Sequence, residues 1–421
     1  MIGNIINTVS TRITLAVLSI VLLLLNSNVL GTEGLGTIGI IVLEITVYLL
    51  ISNIVCGGSL VYYSSRKKVN ELIIAAYLWI LLSAGAYYLV ISLVPALSSD
   101  YLDSIVLLGF LQSVITANLS LLAGQQRFKV FNLVALIQAV IQISSLCVFF
   151  FILNEKSIGS FIQSTLIAYS FAVLFSFVRL IPKFEKEIKL PTLALFKELI
   201  HYGFYLQIAN VTQLMNYRLN YFLLDYFSGR ASVGQFMAGV QLSEGLLLPS
   251  KSIGTVQYAK ISSQKSKTKA ARLTVTLLKI TLLLTIPITA FLIFLPEVVY
   301  TTLLSADFNR TPEVIAVMGI GIIALAGEII LSRYFSGTGQ QKINAVSSTL
   351  GLAVTIIAGF TFIPIYGLLG AAACASLSYL SIFIFLLFKI IRGTSLKLSD
   401  FILKKQDIVY FKRVIRKVRK A

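Results

Sequence analysis

Apolar residues run through this chain in blocks of about twenty, each closed by a short polar turn, and no stretch alternates with a period of two. A block of that length spans the ~30 Å hydrocarbon core of a bilayer as a helix. The blocks fall near 11–30, 38–61, 71–95, 103–123, 131–153, 158–181, 203–226, 232–257, 273–295, 313–335, 344–364 and 368–391. They predict twelve transmembrane helices, of which 38–61 and 232–257 are the most interrupted. The missing period of two argues against a transmembrane barrel. The expected fold is an all-α integral membrane protein.

The seventh span breaks the pattern. Tyr202 to Phe227 is long enough to cross, yet it carries Gln207, Asn210, Gln213, Asn216, Arg218, Asn220 and Asp225. At about 100° per residue these gather on one side. Ile208, Val211, Thr212, Met215, Leu219, Phe222 and Leu223 form the apolar half. Gln207, Asn210, Tyr217, Arg218, Tyr221 and Asp225 centre the other, widened by Gln213, Asn216 and Asn220. Inside a membrane protein such a half faces partner helices or a watery cavity. We read it as a wall of a transport pathway.

Composition agrees with the pattern. Of the 421 residues, 57% are hydrophobic and 12% charged, against roughly 25% charged in a soluble protein. The net charge of +18 raises the question of a nucleic-acid partner, and its distribution answers it. Loops 62–70, 124–130, 182–202, 258–272 and 336–343 with the tail 392–421 hold 25 Lys and Arg, while the alternate loops hold only Lys156, Arg230 and Arg310. This positive-inside asymmetry puts both termini in the cytoplasm and fits an even helix count. No nucleic acid is expected. The first span, without a basic cluster before it or a cleavage site after it, reads as a retained anchor. Cys56, Cys147 and Cys374 lie scattered in apolar spans and read as small core residues.

Proline and alternating charge at 182–200 mark a boundary near the middle of the chain. The second half repeats signals of the first. Gly229 and Gly234 follow the seventh span as Gly31 and Gly36 follow the first, and GQQK (339–342) mirrors GQQR (124–127). Both matches join span n to span n+6, which gives a parallel repeat. The expected domains are two six-helix lobes, 1–190 and 191–392, and a tail, 393–421, whose Ile408, Phe411, Ile415 and Val418 suit a basic amphipathic helix on the anionic inner leaflet. The small residues of GLLGAAACAS (367–376) predict a close helix crossing.

An intramembrane charge needs a partner or a task. Arg218, mid-span on the polar face, suits bidentate contact with a pyrophosphate, or else pairs with Glu44 or Glu244. Lys251, two turns from Glu244, is a second candidate cation or a snorkelling side chain. Glu44 and Glu244 read equally as proton carriers, since desolvation favours the neutral carboxyl, or as counter-ions. Asp225 is the outermost of the three candidate coupling carboxylates and reads as solvated or helix-ending. Glu328 with Arg333 reads as an inner ion pair. Arg12 either draws lipid phosphate to the entrance or serves as a positive-inside anchor. Tyr217 and Tyr221 lie beside Arg218 where sugar rings would stack, and His201 is interfacial.

The glycine turn after the first span, GQQRFK, the run YGFYLQIANVTQLMNYRLNYFLLDYFSGRASVGQF, FSGTGQQKINAVSS and PIYGLLGAAACASLSY together resemble the polysaccharide-unit flippases. These are the Wzx-type, O-antigen branch of the superfamily that also holds multidrug extruders and the lipid II flippase. The resemblance covers residues 10 to 390. It implies two lobes in a V around a central cavity and alternating access. It also implies a polyprenyl-pyrophosphate-linked oligosaccharide as substrate, carried from the inner to the outer leaflet of the bacterial cytoplasmic membrane. Other polysaccharide-assembly proteins are the implied partners. Family sodium sites use carboxylates on helices 7 and 11; Asp225 matches the first, and the eleventh span has no acid. Coupling to a proton or a sodium gradient therefore stays open, with no bound cofactor or metal expected.

Three other classes compete. A cation-coupled multidrug or metabolite antiporter of the same fold needs an acid-dominated cavity, whereas Arg218 and Lys251 oppose the carboxylates here. An enzyme is not expected, because the longest outer loop, 296–312, holds no Ser/His/Asp set, metal cluster or phosphate-binding loop. A scaffold does not account for the polar seventh span.

Overall fold

The computed structural model describes residues 2–64, 66–93, 100–181, 190–262, 264 and 266–401, without the side chains of 2–10, 205, 206, 209, 213, 217 and 259. The expected tail helix and the first part of the 182–200 boundary lie outside these residues. The described chain is helical and contains no strand. Its α-helices are α1 (Ile2–Cys56), α2 (Gly58–Tyr63), α3 (Val69–Ser92), α4 (Leu102–Gly124), α5 (Phe128–Cys147), α6 (Ile158–Leu180), α7 (Leu193–Gly245), α8 (Leu248–Ser262), α9 (Lys267–Ile293), α10 (Glu297–Leu304), α11 (Thr311–Gly337) and α12 (Gln341–Gly393).

Twelve spans are recovered by three glycines. α1, α7 and α12 each break once, at Gly31 (φ 65°), Gly229 (φ 79°) and Gly367 (φ 52°). Only a residue without a Cβ takes such angles at little cost. Gly31 and Gly229 adopt nearly the same conformation at corresponding places in the repeat, with ψ −166° and 172°. The two spans expected to be interrupted are divided again. At Gly57 the chain leaves the helix, and Ser59 Oγ donates to the Ile54 and Val55 carbonyls at 3.1 and 2.6 Å. α7 and α8 are separated by Leu246 and Leu247. A π-turn at Val148–Ile152 and the short α10, within the expected outer loop, had no periodic signal to announce them.

Eight helical stretches among the described residues are long and apolar enough to cross a membrane. Thr11–Tyr63 and Gln341–Gly393 each hold two spans, so these eight account for ten. α7 and α8 are not among them. The seventh and eighth spans are the polar pair.

By contact density the chain divides into two compact units, Met1–Val211 and Thr212–Ala421, with the division inside α7 and later than the composition shift at 190. Lipid tails are as apolar as leucine, so helices in a membrane associate through close packing. In unit 1 a Cβ on Gly203 of α7 would lie 1.6 Å from the Ile54 carbonyl oxygen of α1. Beside this contact Tyr202 stacks on Tyr62 at 4.6 Å and Glu198 pairs with Lys67 at 3.3 Å. Leu195 and Leu199 enter a core with Val55, Leu60, Leu72 and Leu121.

Unit 2 packs α8, α9, α11 and α12 around Leu278, Ile330, Phe335, Ile382 and Leu386. The small-residue surface of α12 makes the expected close crossing, and its neighbour is α11. A Cβ on Gly321 would sit 2.5 Å from Ser376 Cα, and Ser376 Oγ donates to the Val317 carbonyl at 2.8 Å. The three cysteines are unpaired, with Cys56 and Cys374 buried.

Candidate functional site

The polar half of α7 is built around Arg218. Its Nη1 donates to the Tyr221 hydroxyl at 2.8 Å, and the guanidinium carbon is 5.1 Å from the Tyr221 ring centre. Tyr221 is 3% exposed and meets Phe236 edge-on at 5.3 Å. Its ring therefore offers no face to a sugar, and its hydroxyl holds Arg218 instead. Glu244, past the Gly229 break, acts electrostatically on Arg218. Of the two proposed counter-ions, Glu244 is the one that belongs to unit 2 with Arg218.

Tyr379 of α12 completes the group from outside the polar spans. It is buried and lies within the electrostatic reach of Glu244, Arg218, Tyr221 and Glu328. The sequence pattern missed it because a tyrosine in an apolar run carries no contrast. Lys279, buried in the middle of α9, was missed because charge was counted in loops. A lysine inside an apolar block was the signal available.

Two amides on the flank of the polar half have structural work. Asn216 Nδ2 donates to the Ser348 carbonyl of α12 at 2.8 Å, and Asn220 Oδ1 accepts from Cys374 Sγ at 3.2 Å. Both asparagines are buried. They tie α7 to α12 through Asn216 Nδ2 and Asn220 Oδ1, while Asn216 Oδ1 is buried without a hydrogen-bond partner. Asp225 pairs with Arg230 at 2.9 Å across the Gly229 break, a contact that fastens the turn.

Glu328 was expected to pair with Arg333. Its Oε2 is instead buried with no hydrogen-bond partner, whereas the exposed Arg333 lies along α8, its Cγ 3.2 Å from a Cβ built on Gly254. Residues five apart on a helix are about 140° apart around its axis, which points these two side chains to different neighbours.

The remaining predicted residues fall apart from this group. In unit 1, Asn210 Nδ2 donates to Gln207 Oε1 at 2.5 Å, and Gln207 is buried while Asn210 is exposed. Glu44 is half-buried in α1, and its carbonyl accepts from the Tyr87 hydroxyl at 3.5 Å. Arg12 is exposed. A cleft of about 660 Å³ runs along the start of α7, where Leu193, Phe196, Ile200 and Phe204 accompany Lys197 and His201. In unit 2, Lys251 is exposed on α8. The side chains of Tyr217 and Gln213 lie outside the described residues.

Residues 28–313 match the family described as polysaccharide biosynthesis protein. An uncharacterized membrane protein of Methanocaldococcus jannaschii is 22% identical over 302 residues, 70% of this chain and 58% of that protein. The chain thus matches somewhat more than half the length of this relative. Among solved structures, the lipid II flippase MurJ in an inward closed conformation superposes with a TM-score of 0.76 at 18% identity, covering 95% of this chain and 89% of that one. An inward-facing multidrug resistance MATE family transporter of the MOP superfamily gives 0.70 at 14% identity, covering 90% and 94%. These likenesses show that the chain shares the fold of those two transporters. The chain is a multi-pass membrane protein.

Proposed function

Because this chain belongs to the polysaccharide biosynthesis protein family, we propose that it is a flippase for a polyprenyl-pyrophosphate-linked oligosaccharide. It moves this lipid from the inner to the outer leaflet of the cytoplasmic membrane for surface-polysaccharide assembly. The observation that carries the reading is Arg218, a guanidinium midway along the expected seventh span and held in place by Tyr221. A planar fork of donors suits a pyrophosphate, and a fixed fork loses less freedom on binding than a mobile one.

In this reading the six-helix lobes 1–190 and 191–392 alternate access about the 182–200 segment. Both termini and the basic tail 393–421 face the cytoplasm. Gln207, Asn210 and Tyr217 line the glycan's route, Arg12 and Lys251 add positive charge, and the polyprenyl chain stays in lipid. The cleft beside Lys197, apolar with a cation at its edge, fits an anionic lipid at the inner surface.

The test is transport of a fluorescent polyprenyl-pyrophosphate oligosaccharide by the full chain in proteoliposomes. Arg218→Ala at normal reconstitution is expected to lower the rate at least tenfold; an unchanged rate refutes the proposal. A second reading, a cation-coupled multidrug or metabolite antiporter, draws on Glu244 and Glu328 within the same unit. Efflux of cationic drugs by the same vesicles, lost in Glu244→Gln and kept in Arg218→Ala, would select it.

A further inference from the structure

Along the start of α7 one exposed face changes character turn by turn. Lys197, His201, Phe204 and Ile208 follow one another at helical spacing, so they lie within about 60° of one another around the axis. All four are exposed, Phe204 by 53% and Ile208 by 52%. Phe196 and Ile200, half-buried, flank this face in the cleft of about 660 Å³.

The opposite side of the helix fixes which way this face points. Leu195 and Leu199 are buried in the core of unit 1 with Leu72 and Leu121, and Gly203 meets Ile54 too closely to admit a side chain. α7 cannot turn about its axis here without breaking these contacts. Glu198, the only acid between Leu193 and Val211, is drawn aside to Lys67 at 3.3 Å. On its exposed face α7 therefore presents a positive charge and no carboxylate.

We propose that this face holds one anionic phospholipid of the inner leaflet, its phosphate at Lys197, its ester oxygens at His201 and one acyl chain along Phe204 and Ile208. The proposal rests on the orientation already proposed, with the start of α7 at the cytoplasmic surface, and not on the role of Arg218. From that surface inward the face runs cation, hydrogen-bond donor, apolar, apolar. A phospholipid runs phosphate, ester, acyl chain in the same order. Lys197 to Ile208 is a rise of about 16 Å, close to the ~15 Å of hydrocarbon in one leaflet. The Lys197 ammonium reaches back to the headgroups on its apolar stem, where the inner leaflet is anionic. One ammonium matches the single negative charge of a phosphodiester, whereas a pyrophosphate carries more. A free phosphate would leave Phe204 and Ile208 uncovered.

The test is native mass spectrometry of the full chain released from nanodiscs of phosphatidylglycerol and phosphatidylcholine with the same acyl chains. Wild type is expected to retain one phosphatidylglycerol. Lys197→Gln is expected to lower the retained fraction about fivefold, the upper worth of a surface ion pair, and Lys197→Arg to keep it. Lys269→Gln, at an exposed lysine near the start of α9, is the control for overall surface charge. Equal retention in wild type and Lys197→Gln overturns the proposal, as does an equal loss in Lys269→Gln or retention of phosphatidylcholine in place of phosphatidylglycerol. Phosphatidylglycerol with a diazirine on its acyl chain is expected to crosslink to the peptide that holds Phe204 and Ile208; crosslinks confined to other peptides overturn the proposal. Displacement of the lipid by inorganic phosphate, or by a polyprenyl pyrophosphate that crosslinks to the same peptide, also overturns it, in favour of a free-anion site or of the substrate's own route. Labelling of Lys197→Cys by an impermeant maleimide outside intact cells would overturn the orientation instead, and with it only the choice of leaflet, which keeps the two failures apart.

Discussion

Arg218 donates to the hydroxyl of Tyr221, three residues further along α7, at 2.8 Å, and Tyr221 is fixed in turn by its edge-on contact with Phe236. A hydrogen bond to a charged group contributes about 1.5–3 kcal/mol. Tyr221→Phe keeps the ring contact and removes this bond. Transport in proteoliposomes is expected to fall about tenfold, since 1.4 kcal/mol is a factor of ten, while the protein still folds.

Arg218→Lys separates charge from geometry. The ammonium keeps the positive charge without the planar fork, so a rate between those of wild type and Arg218→Ala is expected in the same assay.

The amides that tie α7 to α12 predict stability effects. Asn216→Ala removes the bond to the Ser348 carbonyl and is expected to cost about 1 kcal/mol. Thermal unfolding in detergent should show the lower midpoint, with transport per folded molecule little changed. Asn220→Ala is expected to cost more, because it also empties a fully enclosed site beside Cys374.

Gly203→Ala tests the closest crossing in unit 1. The added methyl would fall 1.6 Å from the Ile54 oxygen, and backbone cannot move aside as a side-chain tip can. A destabilisation of about 3 kcal/mol is expected, seen as lost yield and a lower unfolding midpoint. Gly85→Ala, where no atom lies within 4 Å of the new methyl, is the matched control.

Gln126 holds a left-handed conformation, φ 59°, which a side chain resists by about 1 kcal/mol. Gln126→Gly is expected to raise stability by about that amount. The reason lies in the turn: Arg127 N–H donates to the Leu122 carbonyl as Gln340 N–H donates to the Phe335 carbonyl, so both helices end in the same Schellman turn. Glycine already fills the left-handed place in the second copy, at Gly339 (φ 76°).

That pair of turns shows how far the repeat was legible. GQQR and GQQK stand in the right places, but aligning their letters sets Gly124 against Gly339. The hydrogen bonds set Gln126 against Gly339, two residues on. A motif in one-letter code records composition, whereas the equivalence is one of backbone angles. The candidate site was legible to a similar degree. Arg218 and Glu244 stood out as charges in apolar runs. Tyr379 did not, and the division of the polar half of α7 between holding Arg218 and holding α12 needed the neighbouring helix.

The sequence by itself determined the twelve spans, the glycine breaks after the first and the seventh, and the polarity of the seventh. In hydrocarbon every backbone group must be satisfied within its own helix, so length and apolarity are local properties written into consecutive residues. Tertiary structure alone decided the partners. Asn216 meets Ser348 from 132 residues away and Asn220 meets Cys374 from 154. Glu328 parts from Arg333 because their side chains leave α11 toward different neighbours. Which helix faces a side chain is set by the packing of the whole bundle, and no local window contains it.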